Sequence, residues 1–175
     1  MCTSRPYPEM RETRRVDRWQ VRQVVNLGNG STLLGCAVAA LGGARLVRGP
    51  RGLLVATGYR LPVPVASAFT VGNVITSRHD RAWLDARPAL LRHEERHTWQ
   101  YVACLGLPMV PLYLLAAGWS YLRGGDPAVH NAFERLAGLE DGGYPTTSAR
   151  VRRRAQPRST DPRRRAAGGD RWMQA

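Results

Sequence analysis

A chain of 175 residues, 43% of them apolar, has room for one domain with tails and not for several. Its 26 basic residues face 13 acidic ones, and all 26 are arginine, which points to GC-rich codon usage rather than to selection for phosphate binding, a task lysine also serves. Three scattered cysteines, Cys2, Cys36 and Cys104, with no Cys-x-x-Cys pair, argue against a disulfide framework and a thiolate zinc site, and fit a reducing, cytoplasmic setting.

The elements follow in chain order. Residues 1–25 read as an N-terminal segment, polar over 1–12 and then helical from Arg14 to Val25, with Val16, Trp19 and Gln23 at helical spacing. Arg, Glu, Asp and Pro precede any apolar run, which is not the profile of a signal peptide. A break at 26–31 opens the main domain, expected over 26–144. The apolar run from Thr32 to Leu41 suits either strand or helix. Residues 44–47 and 53–56, separated by Gly and Pro, predict a β-hairpin. Leu61-Pro62-Val63-Pro64-Val65 cannot be a central strand, because proline donates no ladder hydrogen bond. Phe69 to Thr76 is expected as one strand.

The strongest helical pattern covers 82–105, with Asp80 as an N-cap and Pro88 as an alternative first turn. Leu105 to Leu122 carries no charge and is interrupted by glycine and proline; it is expected as a buried core helix, with peripheral membrane contact as the alternative. A turn at 124–127 opens a last helix over 128–139. Residues 145–175 hold nine arginines against two acids and predict a disordered basic tail, solubilising and without a specific nucleic-acid partner. The fold class is therefore α+β: short antiparallel strands, then three helices, then the tail.

The chemistry concentrates in His93-Glu94-Glu95-Arg96-His97. Four residues is slightly more than one helical turn, so both imidazoles leave the same face and can hold one Zn²⁺. Glu94 lies beside such an ion and can take a proton from water bound to it. An open catalytic zinc site needs a third protein ligand. Glu134, on the later helix with Ala137 and Gly138 one turn on, is the first choice; His130 is second, ahead of Glu140 and Asp141.

This arrangement resembles the gluzincin branch of zinc metallopeptidases, and more closely the minimal bacterial zincin-like domains. The resemblance spans 66–144. It rests on a strand at 69–76, Leu90-Leu91-Arg92-His93-Glu94-Glu95-Arg96-His97-Thr98-Trp99-Gln100, and Asn131-Ala132-Phe133-Glu134-Arg135-Leu136-Ala137. It implies a three-helix zincin-like core, zinc on His93, His97 and Glu134, Glu94 as general base, and a peptide or protein substrate pairing with the strand edge around Thr70 to Ile75. The Asn-Glu dipeptide of larger gluzincins is missing. Asn131 or Asp126 would orient a ligand, and Tyr144, His130 or Tyr101 would face the developing oxyanion. The competing reading is a non-catalytic zinc-binding or membrane-associated interaction protein, its zinc closed off by His130 as a fourth ligand.

Overall fold

A computed structural model describes residues 16–144. Residues 1–15 and the basic tail expected at 145–175 lie outside the described residues. The fold is α+β. Helices α1 (Arg18–Gly28) and α2 (Ser31–Leu41) lead into strands β1 (Arg45–Arg48), β2 (Leu54–Thr57), β3 (Ala68–Val71) and β4 (Val74–Ser77). Helices α3 (Arg81–Asp85), α4 (Pro88–Ala103), α5 (Met109–Gly124) and α6 (Ala132–Ala137) complete it.

The sheet is mixed rather than purely antiparallel, in the order β1-β2-β4-β3. β1 and β2 form the expected hairpin, but β4 runs parallel to β2. The single strand expected over 69–76 instead folds back at Gly72-Asn73. Gly72 has φ 59°, and a Cβ there would strike the Ser31 backbone, so the turn takes glycine at its first central position. All four β4 residues are buried, which suits the central position, while half-exposed β3 takes the edge.

Alternation along β2 and β4 builds three layers. Val55 and Ile75 meet Leu53, Ala68 and Leu84 under α3 and α4. Ala56 and Val74 face Ala39 of α2 on the other side. The ambiguous run 32–41 is thus a helix; at eleven residues it exceeds the usual strand length.

Other boundaries moved for local reasons. Asp17, whose N–H donates to Gln20 Oε1 at 3.0 Å, starts α1 at residue 18. The helix expected over 82–105 is two helices. Asp80 caps α3 through Trp83 N at 2.8 Å, and Arg87, held at φ −125° ahead of Pro88, breaks the run. The last helix starts at 132 rather than 128, because Asn131 Oδ1 accepts from Phe133 N at 3.0 Å.

The largest correction concerns α5. The buried core helix expected there buries only Met109 and Ser120; Leu115 is 71% and Leu122 83% exposed. It packs chiefly on α6, which leaves most of its circumference open. No single helix among the described residues is long and apolar enough to cross a membrane; only α1 and α2 taken together, bent by 74°, pass on length and composition.

α1 braces the back of α4. Fully buried Arg22 donates to Glu95 Oε1 at 2.8 Å and to Arg51 O at 2.6 Å, and Asn26 Nδ2 donates to Thr98 O at 2.8 Å. Glu95 also pairs with Arg51 through Nε at 2.9 Å, and these hydrogen bonds, acting against burial, hold its carboxyl below the usual range. Arg22→Ala removes one partner of a largely buried pair and is expected to cost about 3 kcal/mol, read from the midpoint of urea unfolding.

Candidate metal centre

The buried stripe of α4 is polar. His93, Glu94, His97, Thr98 and Tyr101 face inward at steps of one, three, one and three residues, so a helix whose core face should be apolar buries two imidazoles and a carboxylate. Such groups are buried only where partners meet them.

Each imidazole is oriented by its Nδ1. His93 Nδ1 lies 3.0 Å from Gly138 O. His97 Nδ1 lies 2.8 Å from Gln100 Oε1, and Gln100 Nε2 donates to Phe133 O at 2.8 Å, which fixes the amide so that its oxygen faces the ring. Both acceptors require N–H at Nδ1, so the neutral rings turn bare Nε2 lone pairs inward. Gly142 packs against His93, where a Cβ would come within 2.7 Å of Cε1.

The inward atoms converge. The two Nε2 atoms are 3.1 Å apart. Glu134 Oε2 lies 3.2 Å from His93 Nε2, and Glu134 Oε1 lies 3.7 Å from His97 Nε2. Three lone-pair donors this close repel one another unless a cation lies among them. A tetrahedral ion at about 2.0–2.1 Å from each donor spaces the donors about 3.3 Å apart, close to the 3.1 and 3.2 Å from His93 Nε2 to His97 Nε2 and to Glu134 Oε2. Glu134 Oε2 is buried without a hydrogen-bond donor, while Oε1 accepts from the Tyr113 hydroxyl. One oxygen is thus spoken for and the other is open to a metal. His93, His97 and Glu134 form a buried group that could hold a metal ion.

With no ion present, a proton on a histidine takes the cation's part. Burial pushes the Glu134 carboxyl up, but contacts from His93, His97 and Tyr113 outweigh it and hold the group well below the carboxylate range. Burial disfavours charge on His97, yet Glu134 and Glu94 outweigh that and raise its pKa. Glu94 behaves oppositely. Its burial is complete and dominates, pushing its carboxyl up despite His97, the Thr70 hydroxyl 2.7 Å from Oε2, and His93. Two carboxyl groups therefore sit side by side with affinities for the proton driven apart.

No family model, curated protein or solved structure matches this chain.

The remaining candidates are distributed as follows. His130 is exposed on the turn before α6, packed against Gly124, with its N–H donating to Ser120 Oγ at 2.8 Å; it is not part of the metal-capable group. Asn131 is buried and caps the helix that carries Glu134, so it positions the ligand through the backbone rather than by touching it. Asp126 Oδ1 accepts from Ala128 N at 2.9 Å and Val129 N at 3.2 Å, and shapes the same turn. Glu140 and Asp141 stay out of the group; Asp141 pairs with Arg96 at 2.7 Å. Tyr144 lies with its ring centroid 6.0 Å from that of His93, and burial, reinforced by Glu134 and Glu94, keeps its phenol protonated. Tyr101 lines the chamber beside the site, its phenol pushed up to about 12 by burial.

Sequence reasoning missed Tyr113. It sits in an uncharged run that reads as packing, and only its place on α5 brings its hydroxyl to Glu134. Tyr113→Phe frees Glu134 Oε1, and is expected to weaken metal binding roughly 10–100-fold, the usual worth of a partner behind a ligand, as measured by competition with a chromogenic chelator.

Two openings meet at Glu94 and His93. A chamber of about 280 Å³ lies toward α5, walled by Val38, Phe69, Val110 and Leu114. A wider cleft of about 700 Å³ opens the other way, past Ala68, Arg87 and Arg92. Edge strand β3 lines the chamber along its whole length and reaches the cleft only at Ala68, and its Thr70 touches Glu94. The expected pairing edge at 70–75 therefore narrows to β3, since β4 is central.

Proposed function

We propose that this chain is a zinc-dependent hydrolase of peptide bonds, with zinc on His93, His97 and Glu134 and Glu94 as general base. The observation that carries the reading is the convergence of His93 Nε2, His97 Nε2 and a buried Glu134 oxygen, with the buried Glu94 carboxyl adjacent. A two-histidine, one-glutamate set is a recognised catalytic zinc shell with room for water. The resemblance to gluzincins points the same way.

Bound zinc would supply a water of lowered pKa and would polarise a substrate carbonyl. The rest falls to the protein. An extended peptide adds to the free edge of β3, which lines the chamber beside Glu94. Glu94 takes the proton from water at its carboxylate and returns it to the leaving amine; a raised pKa suits a group that must do both near neutral pH. Thr70 holds one Glu94 oxygen and leaves the other to the substrate side. Tyr144, kept protonated, is a hydroxyl donor at the rim.

The non-catalytic reading needed a fourth protein ligand, and exposed His130 does not favour it. The test has two parts. Purified full-length protein is expected to carry one zinc per chain by elemental analysis. It should also cleave a mixed peptide library in a manner lost on chelation and regained with zinc. Protein that takes up no metal, or cleavage indifferent to chelator, sinks the proposal.

A further inference from the structure

The outer surface of α5 is more apolar than a free helix tolerates. Leu112, Leu114, Leu115, Trp119, Tyr121 and Leu122 are each between 45% and 83% exposed. At about 100° per residue they cover roughly half the helix circumference. A partner helix needs only a stripe of about 100°, so a helix partner or a second copy would leave part of this arc wet. A fluid apolar phase covers all of it.

The turn before α5 adds an independent sign. Leu105 stands at φ 57°, where glycine is the easy choice, and its side chain is 79% exposed. The turn lies against the α1–α2 junction, where a Cβ on Gly106 would meet the Asn29 side chain. A strained backbone thus presents a leucine outward, with Leu107 beside it at 47% exposure.

The same apolar surface borders the proposed active site. Leu114 both walls the chamber and is 64% exposed. Val38, which also lines the chamber, sits on one face of α2 with Leu34 and Leu41, four residues before and three after it, both exposed. The chamber mouth therefore has apolar rims on two sides.

Charge selects the kind of surface. No Asp or Glu occurs from 105 to 125, and Trp119 and Tyr121 precede Arg123 on α5. Aromatic rings followed by a cation are the arrangement of an interfacial anchor, and net positive charge favours anionic headgroups.

From these observations we infer that α5 and the Leu105 turn dock the protein on an anionic phospholipid surface. If the hydrolase reading holds, as the substrate part of this inference requires, the chamber opens at the interface and takes peptide segments emerging from the bilayer.

Full-length, zinc-loaded protein is expected to sediment with vesicles of phosphatidylglycerol and phosphatidylcholine, less with phosphatidylcholine alone, and to keep the apolar part of that binding in salt that screens the Arg-rich segment. Leu115→Ser/Trp119→Ser/Leu122→Ser should bind at least roughly a hundredfold more weakly at unchanged zinc content. Leu105→Gly separates docking from folding: it should raise the thermal midpoint by relieving the backbone, yet weaken vesicle binding roughly tenfold. Unchanged binding in the triple variant, adsorption that vanishes with salt, or a parent dimer that ignores vesicles and is split by the triple variant would each overturn the inference. The two readings fail separately. Vesicle binding without chelator-sensitive cleavage removes the hydrolase and leaves the docking; cleavage in solution without vesicle binding does the reverse.

Discussion

Glu94→Gln is expected to abolish peptide cleavage while one zinc per chain remains. Glutamine keeps the shape of the side chain and can still accept from Thr70, whose hydroxyl lies 2.7 Å from Glu94 Oε2. What it loses is the ability to take a proton. Positioned proton transfer contributes roughly 10²–10⁴ in rate, so the loss in kcat should fall at or beyond that range with little change in KM. A variant that retains parental kcat removes Glu94 from the mechanism.

The same substitution makes a stability prediction of opposite sense. Burial raises the Glu94 pKa in the folded chain above its unfolded value. Between those two values the folded state holds a proton that the unfolded state has released, so stability falls as pH rises through the window. Glutamine has no proton to lose. In chelated protein the variant should match the parent at acid pH and exceed it increasingly toward neutrality, as thermal melts across pH would record. An inactive variant more stable than its parent cannot be inactive through misfolding.

How much of this was legible in the sequence depends on the range of the interaction. The spacing of His93 and His97 is a property of helical geometry alone, so it could be read directly. Glu134 could be singled out because it lies on the later predicted helix with the small residues Ala137 and Gly138 one turn on, which suits close helix approach. Gln100 stood in the motif, but its role needed the distance from His97 and the brace to Phe133 O. Tyr113 and Thr70 had no local signal, since each acts across elements 21 and 24 residues away from its partner. The fold divided in the same way. Asp80, Pro88 and Asn131 act within one turn and set helix starts as their chemistry dictates. The reversal at Gly72-Asn73 was hidden because apolar residues continue on both sides of it. The exposure of α5 was hidden because composition states how apolar a helix is and not how many neighbours it has.

Glu134 decides whether there is a centre at all. Two histidines on one helix make a weak, open site, and the carboxylate from α6 supplies the only negative charge among the three donors. Its pKa is held down by contacts with His93, His97 and Tyr113 against the pull of burial, so Glu134 is ionised, and the proton that metal displaces is the histidines'. Glu134→Gln keeps the volume and an acceptor for Tyr113 but removes that charge. Metal affinity should fall by more than about 100-fold, beyond the worth of an outer partner. Isothermal titration with zinc reads the loss, and cleavage should disappear in parallel. Sign fixes a control in metal-free protein. A depressed folded pKa stabilises the parent above the unfolded carboxylate value, and that contribution fades as pH drops toward the folded one. The parent should therefore lose stability on acidification through this window while Glu134→Gln does not. Zinc bound as tightly by Glu134→Gln as by the parent would mean that the two histidines draw their third ligand from elsewhere, and the proposed centre would have to be rebuilt without α6.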